Sequence, residues 1–269
     1  LQDAAYNYNL GKLRALVQMR NALWNLPAMV ERNIGPLPKI RDDSVILLCG
    51  AGPSLRQQSA WLRSIAQHAV VVSVGHALPT LLDAQIQPDV IVEGDPYAYR
   101  NWPDSLGAQE ALLLALPELA PEVVARFKHI HWGQGGVMPL VTLCAQHKIP
   151  LTPLALDKTV TIHAMDALIR SGAQTIVLLG QDLCILPSGQ AYADESHGEH
   201  GCHKDAVLSV PGNDVPFVPT NHNFLIVKQA IEDYIRNRKI ETPSLNIMNA
   251  TSGGARIEGA RRVSEQEVE

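Results

Sequence analysis

Val45-Ile46-Leu47-Leu48-Cys49-Gly50-Ala51-Gly52-Pro53-Ser54-Leu55 decides how the rest of the chain is read. Its first five residues are apolar without polar alternation, which suits a short strand buried on both faces of a sheet. Gly50 and Gly52 then permit a tight turn, and Ser54 opens a helix. Glycines at such a turn let backbone N–H groups approach an anion, and the helix start adds partial positive charge. Gly50, Ala51, Gly52, Pro53 and Ser54 are therefore candidates to cradle a phosphate or nucleotide. The spacing is not the dinucleotide fingerprint, because Leu55 stands where a third glycine would fall. No Gly-Lys-Ser/Thr follows, so it is not a P-loop. A structural turn without a ligand is the plain alternative.

Outward from this unit, short apolar runs alternate with helical stretches. Strands are expected at 45–49, 69–74, 90–93, 111–115, 129–132, 151–154, 175–179 and 245–249. Helices are expected near 55–67, 77–85, 121–127, 136–147, 159–172 and 221–238. Alternation of this kind argues for an α/β fold with a doubly wound, mostly parallel sheet. Before it, residues 1–26 carry leucines at helical spacing, and Pro27, Gly35, Pro36 and Pro38 then break the pattern. The expected organisation is a helical lead-in and linker over 1–40 and one domain over 41–269. The lead-in helix either packs on that domain or serves as a connector or dimerisation helix, so an oligomer through it is one expectation.

The 269 residues are 46% hydrophobic and 18% charged, enough for a full core. A net charge of −5 argues against a nucleic-acid partner, which would call for a basic surplus. No apolar run approaches the ~18 residues of a membrane span. No charged segment followed by an apolar one marks a secretory leader, and the cytoplasm is the expected compartment. Cys49 ends an apolar strand and Cys144 lies in a helical pattern, so both read as reduced core residues.

Three strand ends carry polar groups: the turn at 50–54, Glu93-Gly94-Asp95-Pro96, and Gly180-Gln181-Asp182. In open α/β sheets ligands bind outside the carboxyl ends of the strands, so these are the candidate site. Asp95 can meet a ribose hydroxyl or a divalent cation, or form a turn ahead of Pro96. Asp157 or Thr159 can cap the amphipathic helix that follows, and Thr159 and Thr161 can face a phosphate or base. Residues 184–219 break the rhythm and read as a long functional loop. Within it, His197-Gly198-Glu199-His200-Gly201-Cys202-His203 holds ligand-type side chains, but in no standard zinc spacing. The segment reads as a solvated loop, as the source of a histidine base, or as a metal site.

Several of these segments together resemble one family. Gly50-Ala51-Gly52-Pro53-Ser54-Leu55 is similar to the nucleotide loop of the motility accessory factor (Maf) glycosyltransferases and of the related MptE-like 6-hydroxymethylpterin diphosphokinases. Ile86-Gln87-Pro88-Asp89-Val90, leading to Asp95, resembles their Pro-Asp segment, with Gln85 where glycine is common. Residues 159–183, ending Gly180-Gln181-Asp182-Leu183, resemble their most specific block, and Asn249-Ala250-Thr251-Ser252-Gly253-Gly254-Ala255 their C-terminal ending. Tyr6-Asn7-Tyr8-Asn9-Leu10 is similar to the lead-in of the Maf branch.

The resemblance implies a Rossmann-like fold and a transferase. The Maf branch implies transfer of a nonulosonic, sialic-acid-like sugar from a CMP-activated donor to a hydroxyl of a flagellin-type protein. The other branch implies Mg²⁺-dependent transfer of diphosphate from ATP to a pterin. A nucleotide-binding module without catalysis is a third reading. By the resemblance, Gly50, Gly52, Pro53 and Ser54 would hold the donor phosphate. Asp95 would meet the ribose or a metal, with Thr159 and Thr161 near the nucleotide. Gln181 and Asp182 would face the transferred group, Gly180 would line the nucleotide site with Gln181, and Asp182 or His197 would be the base. Asp95 and Asp182 are the carboxylates for Mg²⁺ if one is needed; no covalently bound cofactor is implied.

Overall fold

The structure is a computed structural model. It describes residues 2–35, 37–41, 43–98, 102, 110–155, 159–193 and 208–268, with side chains from residue 13 onward. Its strands are β1 (Val45–Cys49), β2 (Val70–Val74), β3 (Val90–Glu93), β4 (Leu112–Ala115), β5 (Ile130–Trp132), β6 (Thr175–Leu179), β7 (Leu208–Pro211), β8 (Phe217–Thr220), β9 (Asn246–Asn249) and β10 (Arg261–Arg262). Its helices are α1 (Gln2–Trp24), α2 (Leu26–Glu31), α3 (Ser54–Gln57), α4 (Ser59–Ile65), α5 (Leu78–Asp83), α6 (Pro121–Val124), α7 (Met138–Gln146), α8 (Val160–Arg170) and α9 (His222–Glu241). Eight strands run in the order β10-β9-β6-β1-β2-β3-β4-β5, and β7 and β8 form a separate antiparallel pair. The pairings of β1 with β2 and β6, of β9 with β6 and β10, and of β4 with β5 are all parallel. This is the α/β, Rossmann-like architecture expected from the alternating pattern. No helix among the described residues is long and apolar enough to cross a membrane.

The chain divides into two compact units, 1–37 with 92–156, and 38–91 with 157–269. The second holds the first βα turn. Its central strand β1 is flanked by β2 on one side and β6 on the other, with Cys49 level with both Ser73 and Leu179. Ile46, Leu47, Leu48, Ile176, Val177 and Leu178 are completely buried, as expected of strands covered on both faces. Burial also pushes the Cys49 thiol up to about 12, so it stays a protonated core residue. α8 is tied to α9 by Asp166, whose carboxylate accepts from Tyr234 Oη (2.9 Å), Arg238 Nη2 (2.6 Å) and Arg170 Nε (2.8 Å). Three donors on a fully buried carboxylate offset its desolvation.

The first unit is built on β4, β5 and the helical lead-in. The end of α1 and the residue that follows it turn their amides inward: Asn21 Nδ2 donates to the carbonyls of Pro96 (3.1 Å) and Glu118 (3.2 Å). Asn25 Nδ2 donates to those of Pro117 (2.9 Å) and Leu119 (2.8 Å). Both residues are buried. Asn25→Ala is expected to strand two carbonyls away from water and to cost roughly 2–4 kcal/mol, seen as a lower urea midpoint at unchanged slope.

Three local expectations change. Residues 151–154 form no strand, only a single bridge between Gly133 and Thr152. Pro150 and Pro153 lack the N–H that a ladder needs. The helix expected over 55–67 breaks at Gln58 into α3 and α4. Residues 184–219, read as a loop, contain the hairpin of β7 and β8.

Candidate active site

The sheet order places its topological switch between β1 and β6. From β1 the chain works outward through β2 on one side, and β6 then starts on the other. The crevice at the carboxyl ends of two such strands is where ligands bind in doubly wound folds. Here it is formed by the turns Gly50–Ser54 and Gly180–Asp182.

These two turns are locked together. The N–H of Gly50 donates to Leu179 O (2.7 Å), and that of Gly52 to Gly180 O (2.8 Å). Ser54 donates twice to one carboxylate: its N–H to Asp182 Oδ1 (3.1 Å) and its Oγ to Asp182 Oδ2 (2.7 Å). A Cβ on Gly52 would lie 1.9 Å from Asp182 Oδ2, and one on Gly50 2.2 Å from Gln181 Nε2. The Gly-x-Gly spacing is thus required by the close approach of the 180–182 turn, whatever else it does. The carboxylate of Asp182 occupies the position that sequence reading assigned to a phosphate. Burial pushes its pKa up to about 6, and the two bonds from Ser54 pull the other way.

Gln181 is held from two sides. Its N–H donates to Thr251 Oγ1 (3.1 Å), and its Oε1 accepts from Thr161 Oγ1 (3.4 Å). Its Nε2 is buried without a partner. Thr161 therefore reaches the site, while Thr159 caps α8, its Oγ1 accepting from the Thr161 N–H (3.3 Å). Ala51 O accepts from the Ala193 N–H (2.8 Å), and Pro53 precedes the first turn of α3.

Beyond β9, the segment 249–255 forms a third wall that sequence reasoning used only for resemblance. Ala255 N–H donates to Asp182 O (2.7 Å), and Thr251 N–H to Asn249 Oδ1 (3.1 Å). Asn213, at the turn after β7, donates through Nδ2 to the carbonyls of Thr251 and Gly253. A run of turn formers directly after an apolar strand was the signal available for these residues.

Asp95 lies in the first unit. Its Oδ1 accepts from the Tyr97 N–H (2.8 Å), the turn expected ahead of Pro96, and stands 3.9 Å from Arg14 Nη2. Beside it, buried Glu93 curls back so that Oε1 accepts the N–H groups of Gly94 (2.8 Å) and Asp95 (2.9 Å), while Oε2 has no partner. Burial pushes Glu93 up to about 7. His197, Asp157 and the cluster from Glu199 to His203 lie outside the described residues. Among the described residues no three His, Cys, Asp or Glu side chains are grouped to hold a metal. Both oxygens of Asp182 accept from Ser54 and Oδ1 of Asp95 from the Tyr97 N–H; each carboxylate keeps further lone pairs that Mg²⁺ would need. A cleft of about 470 Å³ lined by Val45, Ser64, His68 and Ala69 opens where β1 and β2 begin, away from these turns.

Residues 20–187 match the family model described as 6-hydroxymethylpterin diphosphokinase MptE-like. The chain belongs to the MptE-like family. Among solved structures, the Maf glycosyltransferase from Magnetospirillum magneticum AMB-1 has the same fold, with a TM-score of 0.72 at 20% identity. The alignment covers 96% of this chain and 39% of that one, so this chain spans well under half the length of that protein. No curated protein matches the chain in sequence.

Proposed function

We propose that this MptE-like chain is a Maf-like glycosyltransferase. It would move a nonulosonic sugar from a CMP-activated donor to a hydroxyl of a flagellin-type protein. The observation that carries this reading is the Ser54–Asp182 pair at the switch point. Two donors that suit a phosphate are held by a buried carboxylate whose pKa of about 6 suits a general base. The family match and the shared fold with a Maf glycosyltransferase support it.

The donor phosphate takes the N–H and Oγ of Ser54, and Asp182 is released from them. The bond between the sugar and the phosphate oxygen breaks, and CMP departs with the electron pair. The donors of Ser54 stabilise the charge that develops on it. The acceptor oxygen bonds to the sugar carbon, and its proton passes to Asp182. Gln181, fixed by Thr161 and Thr251, lines the same crevice.

The family description favours a second reading, diphosphate transfer from ATP to a pterin. That chemistry uses Mg²⁺ to bridge phosphates, usually through one or two carboxylates. The fold shared with a Maf glycosyltransferase over 96% of this chain supports the first reading ahead of it. Calorimetric titration with CMP and ATP, each with and without Mg²⁺, separates the two. CMP is expected to bind with little metal dependence, and Ser54→Ala to weaken it about tenfold, the worth of one charge-assisted hydrogen bond. ATP binding that requires Mg²⁺, with no response to CMP, would overturn the glycosyltransferase reading.

A further inference from the structure

The hairpin of β7 and β8 stands apart from the main sheet, yet both its tip and its end bear on the backbone around Asp182. At the end of β8, Thr220 Oγ1 donates to Leu183 O (2.8 Å), and the Ile185 N–H donates to Pro219 O (2.8 Å). Leu183 has φ +48°, a left-handed backbone that residues other than glycine seldom adopt. With Gly180 at φ +62°, left-handed residues bracket Gln181 and Asp182. Such backbone persists only where its surroundings over-determine it.

The tip of the hairpin grips the wall formed by 249–255. The Asn213 N–H donates to Gly254 O (2.9 Å), and its Nδ2 donates to the carbonyls of Thr251 (3.3 Å) and Gly253. Its Oδ1 accepts from Asn249 Nδ2 (3.4 Å). Beside it, Asp214 accepts the Gly253 N–H (2.7 Å) and is paired with Arg262 (3.0 Å). The wall held in this way lies directly on Asp182. The Ala255 N–H donates to Asp182 O (2.7 Å), and a Cβ on Gly254 would lie 2.8 Å from Asp182 Cα. With its backbone fixed from both sides, Asp182 keeps its carboxylate on the N–H and Oγ of Ser54. Those donors are open to an incoming anion only for the fraction of time in which the carboxylate lets go. The more firmly the backbone beneath it is fixed, the higher its effective concentration there.

We propose that Asn213 is a positioning residue for the phosphate site: by clamping 251–254 it keeps Asp182 seated on Ser54, and so sets how readily an anionic ligand takes its place. This rests on the reading of Ser54 as the holder of the donor phosphate. Among the described residues, the titratable and charged groups around Asp182 do not compete with it for Ser54. The Cys184 thiol, pushed up to about 12 by burial and by Asp182 itself, stays neutral, and Asp214 is taken up by Arg262. The test is calorimetric titration with CMP at pH 8, where Asp182 carries its charge. It compares wild type, Asn213→Ala and Asn213→Ser, each also in an Asp182→Ala background. Circular dichroism shows which variants fold, and Asn213→Ser, which keeps a polar group at the turn, serves if Asn213→Ala does not. Loss of a residue that only supports the fold weakens a ligand or leaves it alone. Asn213→Ala is instead expected to bind CMP about fivefold more tightly than wild type, because the internal carboxylate lets go more often. In the Asp182→Ala background it should change nothing. CMP bound equally or more weakly by Asn213→Ala, or an equal gain in both backgrounds, would overturn the inference and leave the donor site standing. CMP that binds neither wild type nor Asp182→Ala would overturn the donor-phosphate reading and the inference with it.

Discussion

Gly180→Ala is expected to destabilise the protein by roughly 3–5 kcal/mol, a large part of the stability of an ordinary domain. Gly180 has φ +62°, where an L-residue costs about 1–2 kcal/mol. A Cβ there would also sit 2.3 Å from Gly50 O and 3.0 Å from its carbonyl carbon. Those atoms are backbone and cannot rotate aside. They belong to the turn whose N–H groups bond Leu179 and Gly180, so relief would pull β1 and β6 apart at their carboxyl ends. Gly253→Ala is the control. Gly253 has φ +71°, and nothing lies within 4 Å of its Cβ position. It should lose only the backbone cost, about 1–2 kcal/mol. Urea midpoints of the two variants at constant slope measure the difference. Equal losses would mean that conformation alone, and not the approach of the two turns, demands glycine at 180.

The same contact marks where the sequence stops being readable. β1 and β6 are legible because each is a run of Val, Ile and Leu that belongs nowhere but between two covered faces. α8 is legible because its stripe of Ile162, Met165 and Leu168 follows a Thr159 cap. The bond from Ser54 to Asp182 joins residues 128 apart in sequence. It exists because β6 lies directly beside β1, a fact of strand order that no local pattern carries. Glycine at 50 and 52 therefore reads locally as an anion cradle, while in the folded chain it is also the space into which Gln181 and Asp182 fit.

The elements that were missed share a physical cause. β7 and β8 are four residues each, carry Pro211 and Pro219, and have mostly exposed or half-buried side chains. Neither periodicity nor burial marks them. β10 has two residues and is stabilised by its pairing with β9 rather than by its own preference. Thr251 and Asn213 act through backbone carbonyls and N–H groups of distant turns, and such partners leave no trace in composition. Glu93 was legible only as a polar end to an apolar strand; that its carboxyl folds back on its own turn depends on the path of Gly94 and Asp95.

Raising the pH from 4 to 8 is expected to destabilise the protein through two carboxyl groups in particular. Asp182 is moved from 3.8 to about 6 and Glu93 from 4.5 to about 7, both chiefly by burial. Between the ordinary and folded values, the folded chain keeps a proton that the unfolded chain has lost. Stability therefore falls as pH rises through that window, and the full penalty is present above the folded value. At 1.36 kcal/mol per pH unit, each group costs roughly 3 kcal/mol at pH 8. Asp182→Asn keeps the acceptor for the Ser54 N–H and offers an amide donor to the Ser54 hydroxyl, so it retains the turn without the charge. It should gain a few kcal/mol at pH 8, little at pH 4, and lose the slope between about 4 and 6. Glu93→Gln should remove the slope between about 4.5 and 7. Urea denaturation of each variant across this range reads the effect. A slope unchanged in Asp182→Asn would mean that its carboxylate is as well solvated in the folded chain as in the unfolded one. The proposed base would then lack its raised affinity for a proton. A lost slope would leave Asp182 charged at a cost while it holds Ser54, and an incoming phosphate would have to replace it there. The CMP affinity of the wild type should then rise relative to that of Asp182→Asn as pH falls through about 6, the titration of the CMP phosphate itself being common to both.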